Sequence, residues 1–485
     1  MLLPNSLFGV DPGRTLVASA GGRGSSASAA QPKITTFPNG MRFIYEKSPS
    51  VLPLTSIQCF VHVGSANEPE EARGVSHLLE HMCFKGTKRL PTSTAISRIY
   101  DETGAYMNAY TVKQVTCYVI KCKSDFVDKC VDVLSDMMFN SKFDRDEYQK
   151  EYDVVIEEAR KYADDNLNEV QENIDRIIFA GSSYAAPIDK IIYHTGGRKI
   201  SYDDMVSYYK TYYVPENMVL SIVSSLDYSA VLRAVKNTHF FGCRAPRGGT
   251  PRRVPVLAIT PQNKPNIVFI KRPNIASTIV AIGFRTCSMY SAEKYALNLL
   301  KYIFIGPTSS YFFDQLRTKN GLTYSTTIYT NYYENTGDFV IYTQVAAEKL
   351  MKNGASRPGL LPVVFNIIRK LKKNGISKKD LDTAKGYMQG VLLRNLEDND
   401  TLADHNGMRA IFYAAAAAAA PPAPPAPPAP PAPPAIYSYR NKYKECYEKL
   451  TREDLNRALR KYFCAENLTI VCLGSHEPAK ISAAL

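Results

Sequence analysis

No stretch of this 485-residue sequence approaches the roughly 18 consecutive apolar residues of a membrane-spanning helix, so a soluble or peripheral protein is expected. No Cys-x-x-Cys pair occurs among the ten cysteines, which are scattered without paired spacing. That excludes a disulfide framework and suggests reduced thiols in an intracellular compartment. No basic run of five or more is present, although the formal net charge is +13. Lysines and arginines are dispersed among acids, which describes a solvated basic surface and argues against nucleic-acid binding. The N-terminal residues contain no apolar core of the kind a secretory signal needs.

What is present fits a globular chain with room for two domains: 45% of residues are hydrophobic and 22% charged. Residues 1–31 are rich in Ser, Ala and Gly, with Arg14 and Arg23 against the single acid Asp11. They suit a disordered or targeting tail, with the mitochondrion as the expected compartment and the cytoplasm otherwise. Ordered structure is expected from Pro32. Ile34–Phe37, a Pro38-Asn39-Gly40 turn and Met41–Tyr45 form a hairpin pattern. Leu54 to Gly64 alternates as a strand, with Thr55, Ile57, Cys59, Val61 and Val63 set against their neighbours. Helices are expected near residues 92–103, 126–139 and 144–161, and strands over 103–111 and 116–121. This intermingling reads as an α+β sandwich layer.

The chemistry concentrates in His77-Leu78-Leu79-Glu80-His81. On a helix, residues at i, i+3 and i+4 share one face. Two imidazoles a turn apart can hold zinc, and the carboxylate between them lies close enough to handle a proton. A helix whose histidines merely cap a core is the bland alternative. The third ligand has candidates in the acidic helix starting at Asp144. Glu151 and Glu158 are two turns apart and share a face, with Val154 and Val155 forming a packing stripe on that side. A solvated acidic face is the competing reading, and spacing alone does not choose between Glu157 and Glu158.

Two distant stretches match at a constant offset of 250 residues: Asp204 with Asp454, Tyr212 with Tyr462, Glu216 with Glu466 and Asn217 with Asn467. Each is a helix with an acidic start, an aromatic end and a Glu-Asn turn before an apolar strand. Two tandem homologous domains are therefore expected, 32–243 and 256–485, joined by a Gly/Pro/Arg-rich linker at 244–255. The second copy has no His-x-x-Glu-His. It also carries an alanine run followed by Pro-Pro-Ala repeats, an insert at 414–435 expected to protrude as a polyproline II spacer.

Taken together, these motifs resemble the pitrilysin/insulinase family of inverted-motif zinc peptidases, and within it the branch of the mitochondrial processing peptidase beta subunit and its bacterial relatives. The resemblance covers residues 33 to about 480 apart from the insert. It implies two α/β sandwich domains, mostly antiparallel sheets covered by helices, enclosing half of a peptide chamber. It implies one zinc ion per chain on His77, His81 and Glu158, so that Glu158 is favoured over Glu157. Glu80 is then the general base, with Glu151 supporting the site. Asn108-Ala109-Tyr110-Thr111 resembles the family's substrate-pairing edge strand, which assigns Asn108, Ala109 and Thr111 to substrate binding. Arg317 and Tyr324, within an Arg-x-x-x-Gly-Leu-x-Tyr element, are implied to hold substrate from the second domain. The expected partner is a peptide, and the expected assembly a homodimer or a heterodimer with an alpha-like subunit. The competing class is a non-catalytic core subunit or a peptide-binding clamshell of the same fold.

Overall fold

The Pro38-Asn39-Gly40 turn closes with Gly40 at φ 86°, a left-handed conformation that glycine adopts without strain. It joins β1 (Lys33–Thr36) to β2 (Arg42–Lys47) in a computed structural model of the chain. The structure describes residues 31–188, 191, 199–243, 259–353, 357–418 and 438–475, with 414–418 as backbone only. The expected tail up to residue 30, the linker 244–255 and the side chains of the 414–435 insert lie outside the described residues.

In the first half, β3 (Leu54–Val61), β4 (Tyr106–Thr111), β5 (Thr116–Lys123) and β6 (Met218–Ser224) complete a sheet in the order β1-β2-β6-β3-β5-β4. Only the β2–β6 pair is parallel. Its helices are α1 (Val75–Met82), α2 (Ser93–Thr103), α3 (Val127–Asn140), α4 (Arg145–Ala163), α5 (Asn166–Ile178), α6 (Tyr202–Tyr212), α7 (Tyr228–Lys236) and the short α8 (His239–Gly242). The second half repeats the plan. Strands β7 (Asn266–Lys271), β8 (Ser277–Thr286), β9 (Thr326–Tyr329), β10 (Gly337–Ala346) and β13 (Leu468–Gly474) order as β7-β13-β8-β10-β9, again with one parallel pair, β7–β13. A small hairpin, β11 (Lys352–Asn353) and β12 (Arg357–Pro358), is separate. The helices are α9 (Glu293–Phe304), α10 (Leu360–Asn374), α11 (Lys378–Asn395), α12 (Asn399–Ala418), α13 (Lys442–Cys446) and α14 (Arg452–Tyr462).

The 250-residue repeat has a local physical basis. Ser201 and Asp204 form a capping box at the start of α6, and Thr451 and Asp454 form the same box at α14. Asn217 Nδ2 donates to Tyr212 O at 3.0 Å, and Asn467 Nδ2 donates to Tyr462 O at 2.8 Å. Each asparagine thus ties a helix end to the strand that follows.

One face of each sheet packs on its own half's helices around large apolar cores. The other face is covered by a helix exchanged between halves. From the first half, α5 lays Val170, Ile174 and Ile178 on Ile279, Ala281, Val471 and Leu473. From the second, α12 lays Ala410, Ile411 and Phe412 on Ile44, Phe60 and Val219. This exchange corrects the one-sided reading of the Leu54–Gly64 strand. Ser56, Gln58 and Phe60 are as buried as Ile57 and Cys59. Part of the polar face is satisfied by α12: Gln58 Nε2 donates to Asp400 O at 2.9 Å, and Ser221 Oγ donates to Ala403 O at 2.8 Å.

Candidate metal centre

The helix carrying the motif starts abruptly. Gly74 sits at φ 93°, and the buried Glu68 carboxylate accepts the N–H groups of Gly74 (2.7 Å) and Ser76 (2.8 Å). A carboxylate there satisfies orphan donors of the first turn and complements the helix dipole. From that anchored start, α1 presents His77, Glu80 and His81 on one side, with the imidazole centroids 4.7 Å apart and the rings nearly perpendicular at 87°.

The helix α4 lies against α1 and supplies two carboxylates. His81 Nδ1 and Glu151 Oε1 are 2.8 Å apart, and Lys85 Nζ sits 2.5 Å from Glu151 Oε2. An ionised carboxylate only accepts, so His81 carries its hydrogen on Nδ1 and turns the lone pair of Nε2 outward. That Nε2 lies 3.4 Å from Glu158 Oε2. Burial raises the Glu151 carboxyl, but His81 and Lys85 outweigh it and leave it below the ordinary value. Glu157 points elsewhere, into an exposed ion pair with Arg160. Val155 is buried in the helix contact while Val154 is half exposed, which corrects the expectation that both share the packing stripe.

One ligand atom each from His77, His81 and Glu158 can be chosen so that all lie within 4.8 Å of one another. Two imidazole nitrogens and a carboxylate oxygen make the donor set of a catalytic zinc site, which leaves a coordination position open. Among the described residues this is the one His/Cys/Asp/Glu group with that geometry. Beside it, Thr111 Oγ1 donates to Glu80 Oε2 at 2.6 Å, while Glu80 Oε1 is buried without a hydrogen-bond partner. Burial pushes the Glu80 carboxyl up, opposed by His77, Thr111 and His81. An unsatisfied buried carboxylate oxygen is costly, and its place next to the ligand group marks it for a proton-carrying partner. The residues present fit a zinc ion.

A cavity of about 180 Å³ opens from this group, lined by His77, Glu80 and Glu158, by Ala109 and Thr111 of β4, and by Gln171, Glu172 and Asp175 of α5. Lys113 completes its wall: it donates to Ala186 O and lies 3.9 Å from Asp175, while burial pushes its ammonium pKa down. Of the residues expected at the site, His77, Glu80, Ala109, Thr111 and Glu158 line this cavity, and His81 and Glu151 stand behind it. Asn108 does not line it; its side chain donates to Tyr106 Oη (2.8 Å) and accepts from Ala109 N (2.9 Å). Arg317 and Tyr324 do not line it either. The guanidinium stacks 4.6 Å from the Tyr324 ring, which is 81% exposed. The sequence reading missed the acidic wall of α5, whose amphipathic pattern from Asn166 to Ile178 was the available signal. It also missed Lys85, placed only in a loop.

Fold and site together define a class: two α/β domains of repeated plan interlocked by exchanged helices, with a candidate zinc group, among the described residues, in the first domain only. Residues 43–190 match the insulinase family (peptidase family M16), and residues 199–388 match the peptidase M16 inactive domain. The chain is 30% identical over 324 residues to an uncharacterized zinc protease of Rickettsia felis, covering 65% of this chain and 74% of that protein. It is 29% identical over 378 residues to the uncharacterized zinc protease YmxG of Bacillus subtilis, covering 77% and 86%. The fold is shared with a protease from Helicobacter pylori at a TM-score of 0.77 and 21% identity, covering 92% of this chain and 99% of that one. The chain belongs to the insulinase family of peptidases, M16.

Proposed function

We propose that this chain is a zinc metalloendopeptidase that hydrolyses peptides or presequence-like segments bound in extended form. The observation that carries the reading is the His77/His81/Glu158 group within 4.8 Å, with the bare Oε1 of Glu80 alongside. A zinc ion held there supplies Lewis acidity, polarising the scissile carbonyl and bringing the pKa of a water toward neutrality. Glu80 takes the proton of the attacking water and passes it to the leaving amine. Thr111 holds the other oxygen of that carboxylate, which fixes the direction in which Oε1 points. Glu151 orients His81. Among the described residues strand β4 pairs only with β5, which leaves its outer edge to take a peptide as an added strand. Asn108, Ala109 and Thr111 on that strand, and Arg317 and Tyr324 in the second half, are the proposed substrate contacts.

The Glu172 carboxylate in the cavity wall supports a preference for basic segments, which the overall positive charge would otherwise repel. The placement beside the processing peptidase beta subunit rests on the motif resemblance, as does pairing with a second copy or an alpha-like subunit. The mitochondrial location rests on the composition of residues 1–31. The test is Glu80→Gln. The variant is expected to keep its zinc and to lose peptide hydrolysis by at least about a thousandfold, within the range that loss of acid–base catalysis gives. Substantial turnover by the folded, zinc-loaded variant would remove Glu80 from the mechanism.

A further inference from the structure

The loop after the metal-binding helix is built to a fixed shape. Gly86 has φ 131°, and a Cβ there would stand 2.6 Å from Pro91 O, so the turn accepts only glycine. Its neighbours are pinned on both sides. Thr87 N donates to Leu90 O (2.7 Å), Lys88 N to Asn140 O (3.1 Å) and Lys142 N to Gly86 O (2.9 Å). The buried Asp136 carboxylate receives Thr87 Oγ1. What this turn delivers is Lys85, whose Nζ lies 2.5 Å from Glu151 Oε2, while Oε1 of the same carboxylate faces His81 Nδ1 at 2.8 Å. Glu151 is only 5% exposed, so its two oxygens are committed to these two partners and to little else.

We propose that Lys85 is a positioning residue for the metal centre: through Glu151 it locks the ring of His81 in the orientation that aims Nε2 at the metal. This rests on the zinc reading above and extends it by one residue along a Lys85–Glu151–His81 chain. A surface ion pair contributes little, because water competes for both partners and side-chain entropy opposes it. This pair differs, since one partner is buried and already engaged with a ligand. Partners of ligating histidines carry roughly 10–100-fold of metal affinity.

Electrostatics gives the inference a distinguishing sign. Removing a positive charge near a divalent cation tightens metal binding if charge alone matters. Positioning predicts the reverse. The experiment measures the zinc dissociation constant of the full chain by competition with a chromophoric chelator, in the wild type, Lys85→Met, Lys85→Arg, Glu151→Gln and the Lys85→Met/Glu151→Gln double variant. Thermal melts and the visible spectrum of the cobalt-substituted forms accompany it. Lys85→Met is expected to bind zinc about tenfold more weakly and to shift the cobalt spectrum, while still melting cooperatively as a folded chain. Lys85→Arg is expected to restore most of the affinity. In the Glu151→Gln background the Lys85→Met change is expected to cost nothing further, because the link is already cut. Unchanged or tighter binding by Lys85→Met, or an equal loss in both backgrounds, overturns the positioning role while leaving the zinc reading intact. A wild-type chain that takes up no zinc overturns the zinc reading, and this inference with it.

Discussion

Glu151 and Glu158 share a face of one helix, yet their neighbours give them separate work. Glu151 is clamped between His81 and Lys85, so its oxygens are used in holding a ring. Glu158 faces the outward Nε2 of His81 and the cavity, where it can offer an oxygen to a metal. Glu157, one residue earlier, is turned to solvent and occupied by Arg160. Glu158→Gln is therefore expected to lower zinc affinity by at least about a hundredfold, because a carboxylate ligand is lost outright. Glu157→Gln, at a surface ion pair, is expected to change it by less than about twofold. Metal content after dialysis against a weak chelator separates the two. The choice between these glutamates was not readable from helical spacing, because adjacent positions on a helix differ by about 100°. The family resemblance favours Glu158, and the facing helix supplies the physical reason.

At the scale of elements, the exchange of α5 and α12 is the feature that holds the halves together. It depends on close backbone approach. A Cβ on Gly407 would stand 2.0 Å from a ring carbon of Phe60, itself buried in β3. Gly407→Ala is therefore expected to destabilise the protein by about 1–3 kcal/mol through overpacking, measured as a lower denaturation midpoint. A Cβ on Gly283 meets the movable ends of Ile178 and Ile174, and the same change there is expected to cost less. The contact also carries a pH dependence. Asp404 on α12 accepts Tyr110 Oη of β4 at 2.9 Å. Burial pushes its carboxyl up to about 6, against the Tyr110 hydrogen bond and the Lys442 charge. The unfolded value lies near 3.9, so the folded state holds this proton more tightly. Its stabilising contribution is complete below about pH 4 and is lost as pH rises through about 6, a difference of up to ~3 kcal/mol. Asp404→Asn keeps the acceptor and removes the charge. It is expected to raise the melting temperature at pH 8 and to change it little at pH 4.

The β1–β2 hairpin, helices α1 to α4 and the internal repeat with its helices α6 and α14 were legible because each has a local cause: a glycine turn, a capping box, a period of alternation or of helical spacing. The interlocking was not. The polar positions Ser56, Gln58 and Ser221 signal a solvent face in any local reading, and they are buried because a helix from the other half covers them, bringing acceptors to Gln58 Nε2 and Ser221 Oγ.

Across the whole molecule, the candidate metal group and its cavity lie in one half, and the other half braces them. All residues lining the cavity belong to the first half. The second half grips it beside the site: Gln114 Nε2 donates to Glu334 Oε2 at 2.8 Å, Glu334 N donates to Gln114 Oε1 at 3.2 Å, and Tyr333 stacks on Tyr184 with centroids 4.5 Å apart. Gln114 and Tyr184 flank Lys113 and Ala185 of the cavity wall, so contacts from the second half brace that wall from behind. Among the described residues only the first half carries such a His/His/Glu group, and the expected stoichiometry of one zinc per chain follows from that. The most direct measurement is cleavage of an internally quenched basic peptide by chelator-stripped protein as zinc is added back. The account predicts no cleavage without metal, and activity that rises to a plateau at one zinc per chain. Cleavage that survives the chelator, or a fully zinc-loaded chain with no activity on any such peptide, would contradict it.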